Sequence, residues 1–283
     1  MDVGAVPAGR VCAAGDPRFP KRLGDLARPP QQLWITGRLP APEERVVAMV
    51  GSRGATAAGY AQAQAIALAA GQAGWSVISG GALGIDAAAH LGALQAGAPT
   101  FAVLGCGVDV VYPDRHAELF SQVARAGGLI SEYPMGTPPR SGQFPLRNRL
   151  VAALAEAVIV IDARTRSGAL ITAARARELG RKLLAVPGSR GADWLIGSGA
   201  AVPAEGPAQV LELLAGAAPK PAKVPETLRP LIDLLRTGPE SPAAIAQRIG
   251  QPLPAVLSAL TEAEMAGFIH RVAGGLYEVP RAG

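Results

Sequence analysis

The chain has 283 residues, of which 49% are hydrophobic, enough for one large α/β domain and a small additional module. Its net charge of +5 permits a polyanionic partner, but abundant arginine and alanine are also typical of GC-rich coding, so the position of the charges has to decide. The 4% aromatic content, the two isolated cysteines and the lack of a long apolar run exclude an extended base-stacking platform, a disulfide or metal framework and a membrane span, and we expect a cytoplasmic protein without metal or cofactor.

Most of the chain alternates short apolar runs with alanine-rich stretches of helical character. Residues 1–44 are rich in proline, arginine and glycine, and we expect a lead-in that packs on the sheet with one short strand. Residues 45–216 predict an extended Rossmann-like, doubly wound fold, in which a mostly parallel sheet carries helices on both faces. The predicted strands are Val46–Gly51, Trp75–Gly80, Thr100–Gly105, Gly128–Glu132, Ala157–Ala163 and Lys182–Gly188.

The C-terminal part of the chain follows a different pattern. Residues 217–226 carry three prolines and two lysines without apolar periodicity, which predicts a linker. Residues 227–283 then show three apolar repeats at helical spacing and two short runs that flank Gly274 and Gly275, a hairpin signal. Three helices and a β-hairpin predict a small winged-helix module.

Two of the predicted strands end in glycine-rich turns that lead into helices. The first ends in Gly51-Ser52-Arg53-Gly54, a candidate phosphate-binding corner, and a tight turn with Thr56 as the helix N-cap is the alternative. The second ends in Ser79-Gly80-Gly81, where small residues let another backbone or a phosphate approach closely. Asp86 and His90 follow, and we expect them to be local partners in a helix start rather than an acid–base pair.

The stretch from Pro138 to Lys182 holds nine basic residues against three acidic ones, which predicts a local basic surface. Within it, Phe144–Arg149 places a ring beside two guanidiniums and an amide. These are the groups that single-strand binding requires, and a core position for the ring is the alternative. Further on, Ser167-Gly168 follows a strand and opens a helix, a second candidate anion-binding helix start.

Together these segments resemble the DprA (Smf) family. The likeness covers roughly residues 15–215 and rests on VGSR, SGGALGIDAAAH, AVLGCGVDVVYP, SEYP, FPLRNR, VIVIDARTRSGALITA and LLAVPG, in order and at familiar spacing. The C-terminal module is similar to the winged helix of many members. The resemblance implies a non-enzymatic protein that binds and protects single-stranded DNA without sequence specificity. It also implies a homodimer formed through the Rossmann-like domain, and help in loading the RecA recombinase during natural transformation and recombination.

The resemblance also implies which residues contact DNA, and it implies no catalytic residue. By similarity, the contacting residues are Ser52, Arg53, Gly80, Gly81, Phe144, Arg147, Asn148, Arg149, Ser167 and Gly168. We add Arg140, whose charge lies just upstream of Phe144. The chain departs from the family pattern at Arg115-His116, where an asparagine is expected.

The winged-helix module has little positive charge where a DNA reader needs it. Residues 227–283 hold five basic and five acidic residues, and the predicted third helix, Pro252–Ala266, has two glutamates and no lysine or arginine. Because such a helix cannot pair with phosphate or guanine, we expect a protein contact or an auxiliary role rather than major-groove reading.

Two other function classes stay open on the sequence. A nucleotide-processing enzyme resembling phosphoribohydrolases would share the glycine-rich turn, but SGGALGID lacks the Pro, Thr and Glu of the PGGxGTxxE element of those enzymes. A transcription regulator built on the winged helix is the other alternative, and the cation-free third helix argues against it.

Overall fold

The structure, a computed structural model, describes residues 9–165, 167–216, 225–265 and 268–279. These residues form two units, the first comprising 9–192 and 204–216 and the second 193–203 and 225–279. Nearly all of the predicted linker, residues 217–226, lies outside the described residues, and so does Arg166 of the predicted basic stretch.

A mixed, mostly parallel sheet is the centre of the fold. Its strands are β1 (Arg10–Ala13), β2 (Gln32–Gly37), β3 (Val46–Gly51), β4 (Ser76–Ser79), β5 (Thr100–Leu104), β6 (Gly128–Ser131), β7 (Ala157–Ile161), β8 (Lys182–Ala185) and β9 (Val202–Pro203). They lie in the order β1-β2-β6-β5-β4-β3-β7-β8-β9. The strands from β3 to β8 pair in parallel. Strands β4 to β7 are buried along their whole length, as expected for a sheet that helices cover on both faces. The predicted Rossmann-like fold is confirmed.

Helices connect these strands. They are α1 (Ala57–Gln72), α2 (Ile85–Gln95), α3 (Ala117–Ala126), α4 (Gln143–Leu154), α5 (Gly168–Glu178), α6 (Arg190–Gly197) and α7 (Pro207–Leu214). Helix α1 packs on α2, and α4 packs on α5. At the first contact, a Cβ on Gly92 would clash with the carbonyl oxygen of Gln64, so glycine allows the two helices to approach closely.

The order of the strands creates a crevice. From β3 the chain continues through β4, β5 and β6 on one side of the sheet, and it then returns to place β7 on the other side of β3. The loops that follow β3 and β7 therefore leave in opposite directions. In open α/β sheets, ligands bind outside the carboxyl ends of the strands at such a switch point.

The N-terminal lead-in contributes two strands, so the prediction of one is wrong. Strand β2 pairs antiparallel with β6, with Trp34 opposite Ser131, and β1 pairs antiparallel with β2. Strand β1 was missed because Cys12 is its single buried residue, which leaves no apolar alternation to read.

The second unit contains the winged helix. Its elements are α8 (Arg229–Leu235), α9 (Pro242–Ile249), α10 (Leu253–Met265), β10 (His270–Arg271) and β11 (Tyr277–Glu278). Leucines and isoleucines of the three helices form its core together with Ile269. The Ser241 side chain caps α9 by accepting a hydrogen bond from the N–H of Ala244. The predicted three helices and hairpin are confirmed, and α10 contains no lysine or arginine.

Within the described ranges, no helix is long and apolar enough to cross a membrane. The same residues include no group of three or more His, Cys, Asp or Glu that could hold a metal ion.

Candidate nucleic-acid interface

A cavity of about 630 Å³ opens at the carboxyl ends of β3, β4 and β7, at the switch point of the sheet. Its lining includes eight of the predicted site residues, namely Ser52, Arg53, Gly80, Phe144, Arg147, Asn148, Ser167 and Gly168. Gly81 lines a neighbouring cavity of about 50 Å³, which shares Arg53, Gly80, Phe144 and Arg147 with the first. Arg140 and Arg149 line neither cavity. The structure therefore brings nine of the eleven residues together.

Glycines allow the turns below the cavity to meet backbone to backbone. A Cβ on Gly51 would clash with the carbonyl oxygen of Ile161, and a Cβ on Gly84 would clash with that of Ser52. Gly84 also has a φ of 76°, which disfavours other residues. The N–H of Ile85 donates to the same Ser52 carbonyl at 3.2 Å. The glycine-rich turn after β4 thus admits a second backbone, one of the two uses predicted for it.

Arg147 lies beneath the cavity and is only 4% exposed. Its Nη1 donates to the carbonyl oxygens of Gly80 and Val103, and its Nε donates to Asn148 Oδ1 at 3.3 Å. Burial lowers the pKa of this guanidinium to about 10, and the nearby Asp86 carboxylate acts in the opposite direction. Arg147 stays charged near neutral pH, but its Nη1 donates hydrogen bonds to carbonyl oxygens at the ends of β4 and β5.

Asp86 and His90 are not partners of each other, so the expected local pairing is wrong. Asp86 Oδ2 accepts hydrogen bonds from the N–H groups of Gly80 at 3.1 Å and Ala82 at 3.3 Å. His90 Nδ1 lies 2.8 Å from the hydroxyl of Thr100. Burial raises the pKa of Asp86 and lowers that of His90 to about 3. Both side chains therefore stabilise the turn and the core and offer no acid–base pair.

His116 fixes the glycine turn from the other side, a role that sequence reasoning missed. Its Nδ1 donates to the carbonyl oxygen of Gly81 at 3.0 Å, and its ring meets Phe120 edge-on at 5.6 Å. Gly81 has a φ of 68°, and a Cβ there would lie 2.9 Å from the Phe120 ring. The sequence did contain a signal for this role, because the chain departs from the family pattern at Arg115-His116. A residue that stands where the family has asparagine can be expected to have a hydrogen-bond partner of its own.

Two aromatic rings and one guanidinium pack together in the wall of the cavity. The rings of Tyr112 and Phe144 lie 5.6 Å apart with an angle of 33° between their planes. The guanidinium of Arg53 lies 5.1 Å from the centre of the Phe144 ring. Gly105 makes room for Phe144, since a Cβ there would lie 2.9 Å from the ring. Tyr112 is 41% exposed and was missed, because the sequence analysis considered it only as part of the AVLGCGVDVVYP motif.

The two candidate anion-binding helix starts differ. At the start of α1, Thr56 Oγ1 accepts a hydrogen bond from the N–H of Gly59, which confirms the alternative interpretation of Thr56 as an N-cap. Asp162 Oδ2 also accepts from the Thr56 N–H at 2.7 Å and from its hydroxyl at 3.1 Å. A carboxylate of the protein therefore already occupies this helix start.

The start of α5 is open. The side chain of its N-cap residue, Ser167, makes no capping bond, and its Oγ is buried without a partner among the described residues. The N–H groups of Gly168 and Ala169 likewise have no acceptor in that part of the chain. Ser52, which lines the same cavity and is 7% exposed, also has a side-chain hydroxyl with no partner in the described ranges.

The predicted basic surface is smaller than the sequence count suggests. Arg149 forms an ion pair with Glu132 at 2.5 Å and donates to the carbonyl oxygen of Arg28. Arg181 pairs with Asp25, again at 2.5 Å, and Arg175 and Arg177 lie in the last turn of α5, at the opposite end of that helix from Gly168. Arg149 and Arg181 are therefore engaged in ion pairs, and Arg175 and Arg177 lie at the end of α5 that is remote from the cavity.

The cations that line the cavity besides the buried Arg147 are Arg53 and Arg164. Both are exposed, and neither has an acidic partner within the described ranges. Arg140 is exposed and precedes α4, where its backbone N–H donates to Gln143 Oε1 at 2.6 Å. Binding of DNA by any of these residues stays a prediction.

These features define a class of protein. A Rossmann-like sheet with a cationic, ring-bearing cavity at its switch point, joined in one chain to a winged helix, is typical of proteins that handle nucleotides or nucleic acids. The chain belongs to the DprA family. The family model described as DNA recombination-mediator protein A matches residues 10–215, and the model of the DprA winged helix domain matches residues 215–275. The predicted family is confirmed.

Individual relatives agree with this assignment. Protein Smf of Escherichia coli is 36% identical over 284 residues, covering 93% of this chain and 76% of that protein. A putative DNA processing protein DprA of Mycobacterium tuberculosis is 44% identical over 193 residues, covering 64% of this chain and 50% of that protein. The chain therefore spans about half the length of the mycobacterial relative.

Two solved structures share the fold. DprA of Streptococcus pneumoniae superposes with a TM-score of 0.67 at 34% identity and covers 76% of each chain. DprA of Helicobacter pylori, whose structure describes a single-stranded DNA binding mode, superposes with a TM-score of 0.66 at 28% identity. That match covers 73% of this chain and 95% of the other.

Proposed function

We propose that this chain binds single-stranded DNA in the cavity at the switch point, without sequence specificity. The observation that carries the proposal is the cavity itself, which combines the Tyr112–Phe144 rings, the guanidiniums of Arg53 and Arg164 and the open start of α5. Rings that stack on bases and cations that follow the backbone are the two requirements of single-strand binding. The described binding mode of the Helicobacter pylori relative supports the same ligand.

The polar groups of the cavity suit a backbone better than a base edge. The amide of Asn148, one of the predicted DNA contacts, accepts a hydrogen bond from Arg147 and donates to the carbonyl oxygen of Gly168 at 3.2 Å. One donor and one acceptor of the amide are thus engaged within the protein, which reduces what it can offer to a base. Affinity would come from phosphate contacts and stacking, which do not distinguish one base from another.

Stacking also explains a preference for single strands. A base whose face lies on Tyr112 or on the Arg53–Phe144 pair cannot at the same time stack within a duplex. Because Arg53 already lies over the Phe144 ring, an incoming base would stack on the guanidinium or on the more exposed Tyr112.

We also propose that the protein is not an enzyme. A nucleotide hydrolase at this site would need a general base, and Asp86, the carboxylate of the cavity lining, accepts two backbone hydrogen bonds next to Arg147. His90 is fully buried in the core. These observations favour binding over the phosphoribohydrolase alternative.

The family assignment supports the remaining proposals. We infer that the protein acts in the cytoplasm as a homodimer, protects single strands and helps to load the RecA recombinase during recombination and natural transformation. The regulator alternative is not favoured, because α10 lacks the cations that a duplex reader needs.

A pair of matched double variants tests the binding proposal. Arg53→Ala with Arg164→Ala removes two cations from the cavity, whereas Arg175→Ala with Arg177→Ala removes two from the far end of α5. In titrations of labelled oligo-dT against salt, we expect the cavity variant to flatten the slope of log K against log salt by about 1.4, or about 0.7 for each contact. The control should keep the slope of the unmodified protein. Equal slopes for the two variants would show that the cavity is not the binding site.

A further inference from the structure

The cavity has the dimensions of a site for one small ligand. Its volume of about 630 Å³ falls within the roughly 300–1,000 Å³ typical of cofactor and small-molecule sites. It also lies at the switch point of a doubly wound sheet, the place where such folds hold nucleotides. An extended strand would continue beyond this cavity, whereas one nucleotide fits within it.

The cavity lining has unused hydrogen-bond donors. The hydroxyl of Ser52 belongs to a residue that is more than nine-tenths buried, and that of Ser167 is itself buried. Neither has a partner among the described residues. The buried Ser167 hydroxyl without a partner is costly unless a ligand satisfies it. The N–H groups of Gly168 and Ala169 at the start of α5 add two more donors and a favourable helix dipole.

The same lining has the surfaces that a base and a charge require. Tyr112 and Phe144 offer aromatic faces, and Arg53 and Arg164 bring positive charge to the same cavity. A nucleotide site needs hydrogen-bond donors for the phosphate and an aromatic surface for the base. This cavity has both.

We propose that the cavity takes a free nucleoside 5′-monophosphate as a complete ligand, which competes with single-stranded DNA. This inference rests on the proposed function for the location of the DNA. The phosphate lies at the start of α5 against Ser52 and Ser167, and the base lies against Tyr112 and the Arg53–Phe144 pair. A phosphate monoester carries nearly two negative charges near neutral pH, more than each phosphodiester of a strand, so a free nucleotide gains more from the two guanidiniums. The occupancy of the DNA site then depends on the nucleotide concentration.

A displacement experiment on the full chain tests the inference. Labelled oligo-dT is bound first, and dTMP, thymidine or inorganic phosphate is then added at matched ionic strength. We expect dTMP to displace the oligonucleotide at a concentration at least about tenfold lower than either of its two parts, because one site binds both halves together. Calorimetric titration of dTMP without DNA should show one site per chain.

Variants connect the effect to the proposed donors. Ser52→Ala with Ser167→Ala should weaken dTMP binding about tenfold, whereas Ser258→Ala on the exposed surface of α10 should leave it unchanged. If dTMP displaces no better than phosphate while oligo-dT binds normally, the inference is wrong and the proposed function stands. If oligo-dT itself does not bind, the proposed function is wrong. Binding of dTMP that is insensitive to the two serine substitutions would contradict the assigned phosphate position.

Discussion

Arg147 shows how a cation in a binding site can act through its neighbours. It is buried, its Nη1 joins the carbonyl oxygens at the ends of β4 and β5, and its Nε holds Asn148. Asn148 in turn donates to Gly168 at the start of α5. One guanidinium therefore connects the glycine turn with the open helix start, and we expect Arg147 to position the site rather than to neutralise a phosphate.

Salt dependence separates these two roles. We predict that Arg147→Gln weakens oligo-dT binding about tenfold, because a neutral amide cannot reproduce the fork of hydrogen bonds, while the slope of log K against log salt stays unchanged although a charge has been removed. Arg53→Ala, at an exposed position, should flatten that slope by about 0.7. Affinity is measured by fluorescence anisotropy from 50 to 300 mM salt, after circular dichroism has shown that both variants are folded. A slope for Arg147→Gln that is flattened as much as that of Arg53→Ala would identify Arg147 as a direct phosphate contact.

His90 makes the stability of the first unit depend on pH. Burial lowers its folded-state pKa from 6.5 to about 3, and its Nε2 has no hydrogen-bond partner among the described residues. Between these two values the unfolded chain carries a proton on this ring that the folded chain lacks. The contribution of His90 to stability is therefore complete above pH 6.5 and decreases as the pH falls below that value.

We predict that His90→Gln removes this part of the pH dependence. The free energy of unfolding of the variant, measured relative to the unmodified protein, should rise by about 2 kcal/mol between pH 8 and pH 5. Urea denaturation at several pH values across this range gives both curves, and the comparison at pH 8 isolates the loss of the hydrogen bond to Thr100. A difference that stays constant with pH would mean that His90 takes up a proton in the folded protein as readily as in the unfolded chain.

At the level of elements, the buried strands could be predicted because burial on both faces is visible in composition alone. Val46–Gly51 is an unbroken apolar run that ends at a glycine, and β3 has those bounds. Strand β1 gave no such signal, since it buries a single residue and depends on pairing with β2. Local composition predicts elements that supply their own buried surface, and it misses those that a neighbour stabilises.

The two helix starts show a second limit of sequence reasoning. A small polar residue followed by glycine or alanine opens both α1 and α5, and the sequence predicted an anion site at each. The difference comes from Asp162, which is 106 positions away from Thr56 in the chain and whose carboxylate accepts hydrogen bonds at the α1 start. Spacing along the sequence cannot place a carboxylate from another strand end, so only the folded structure distinguishes a capped helix start from an open one.

The count of basic and acidic residues between Pro138 and Lys182 overestimated the basic surface for the same reason. Arg149 and Arg181 contributed to the predicted basic surface, but their partners Glu132 and Asp25 lie 17 and 156 positions away. Basic residues that are close in the sequence lie apart in the fold, because the first and last turns of α5 are at opposite ends of that helix. What the sequence did predict was the set of strand-end motifs, since the parallel order of the strands brings their carboxyl ends to one edge.

For the whole molecule, the question is which part of the chain carries the DNA-binding charge. The net charge of +5 does not answer it, because many arginines are engaged in ion pairs. In the winged helix, Arg229 pairs with Glu226, Arg236 with Asp233 and Arg248 with Glu240, at 2.9, 2.9 and 2.7 Å. Exposed pairs of this kind add little stability, but they reduce the field that a polyanion meets. The cavity of the first unit, by contrast, presents Arg53 and Arg164 without acidic partners in the described part of the chain.

We therefore predict that the winged helix contributes little to DNA affinity in the full chain. Arg236→Ala with Arg248→Ala removes two of its cations, and we expect oligo-dT affinity to change by less than about twofold with no change in salt slope, since neither charge neutralises a phosphate. The same variant should bind duplex DNA as weakly as the unmodified chain, because α10 has two glutamates and no cation to enter a groove. The measurement is parallel titration of single-stranded and duplex oligonucleotides of equal length, with Arg53→Ala and Arg164→Ala as the responsive comparison. A drop in duplex affinity confined to the winged-helix variant would establish this module as a second DNA contact, and the binding function would then belong to both units.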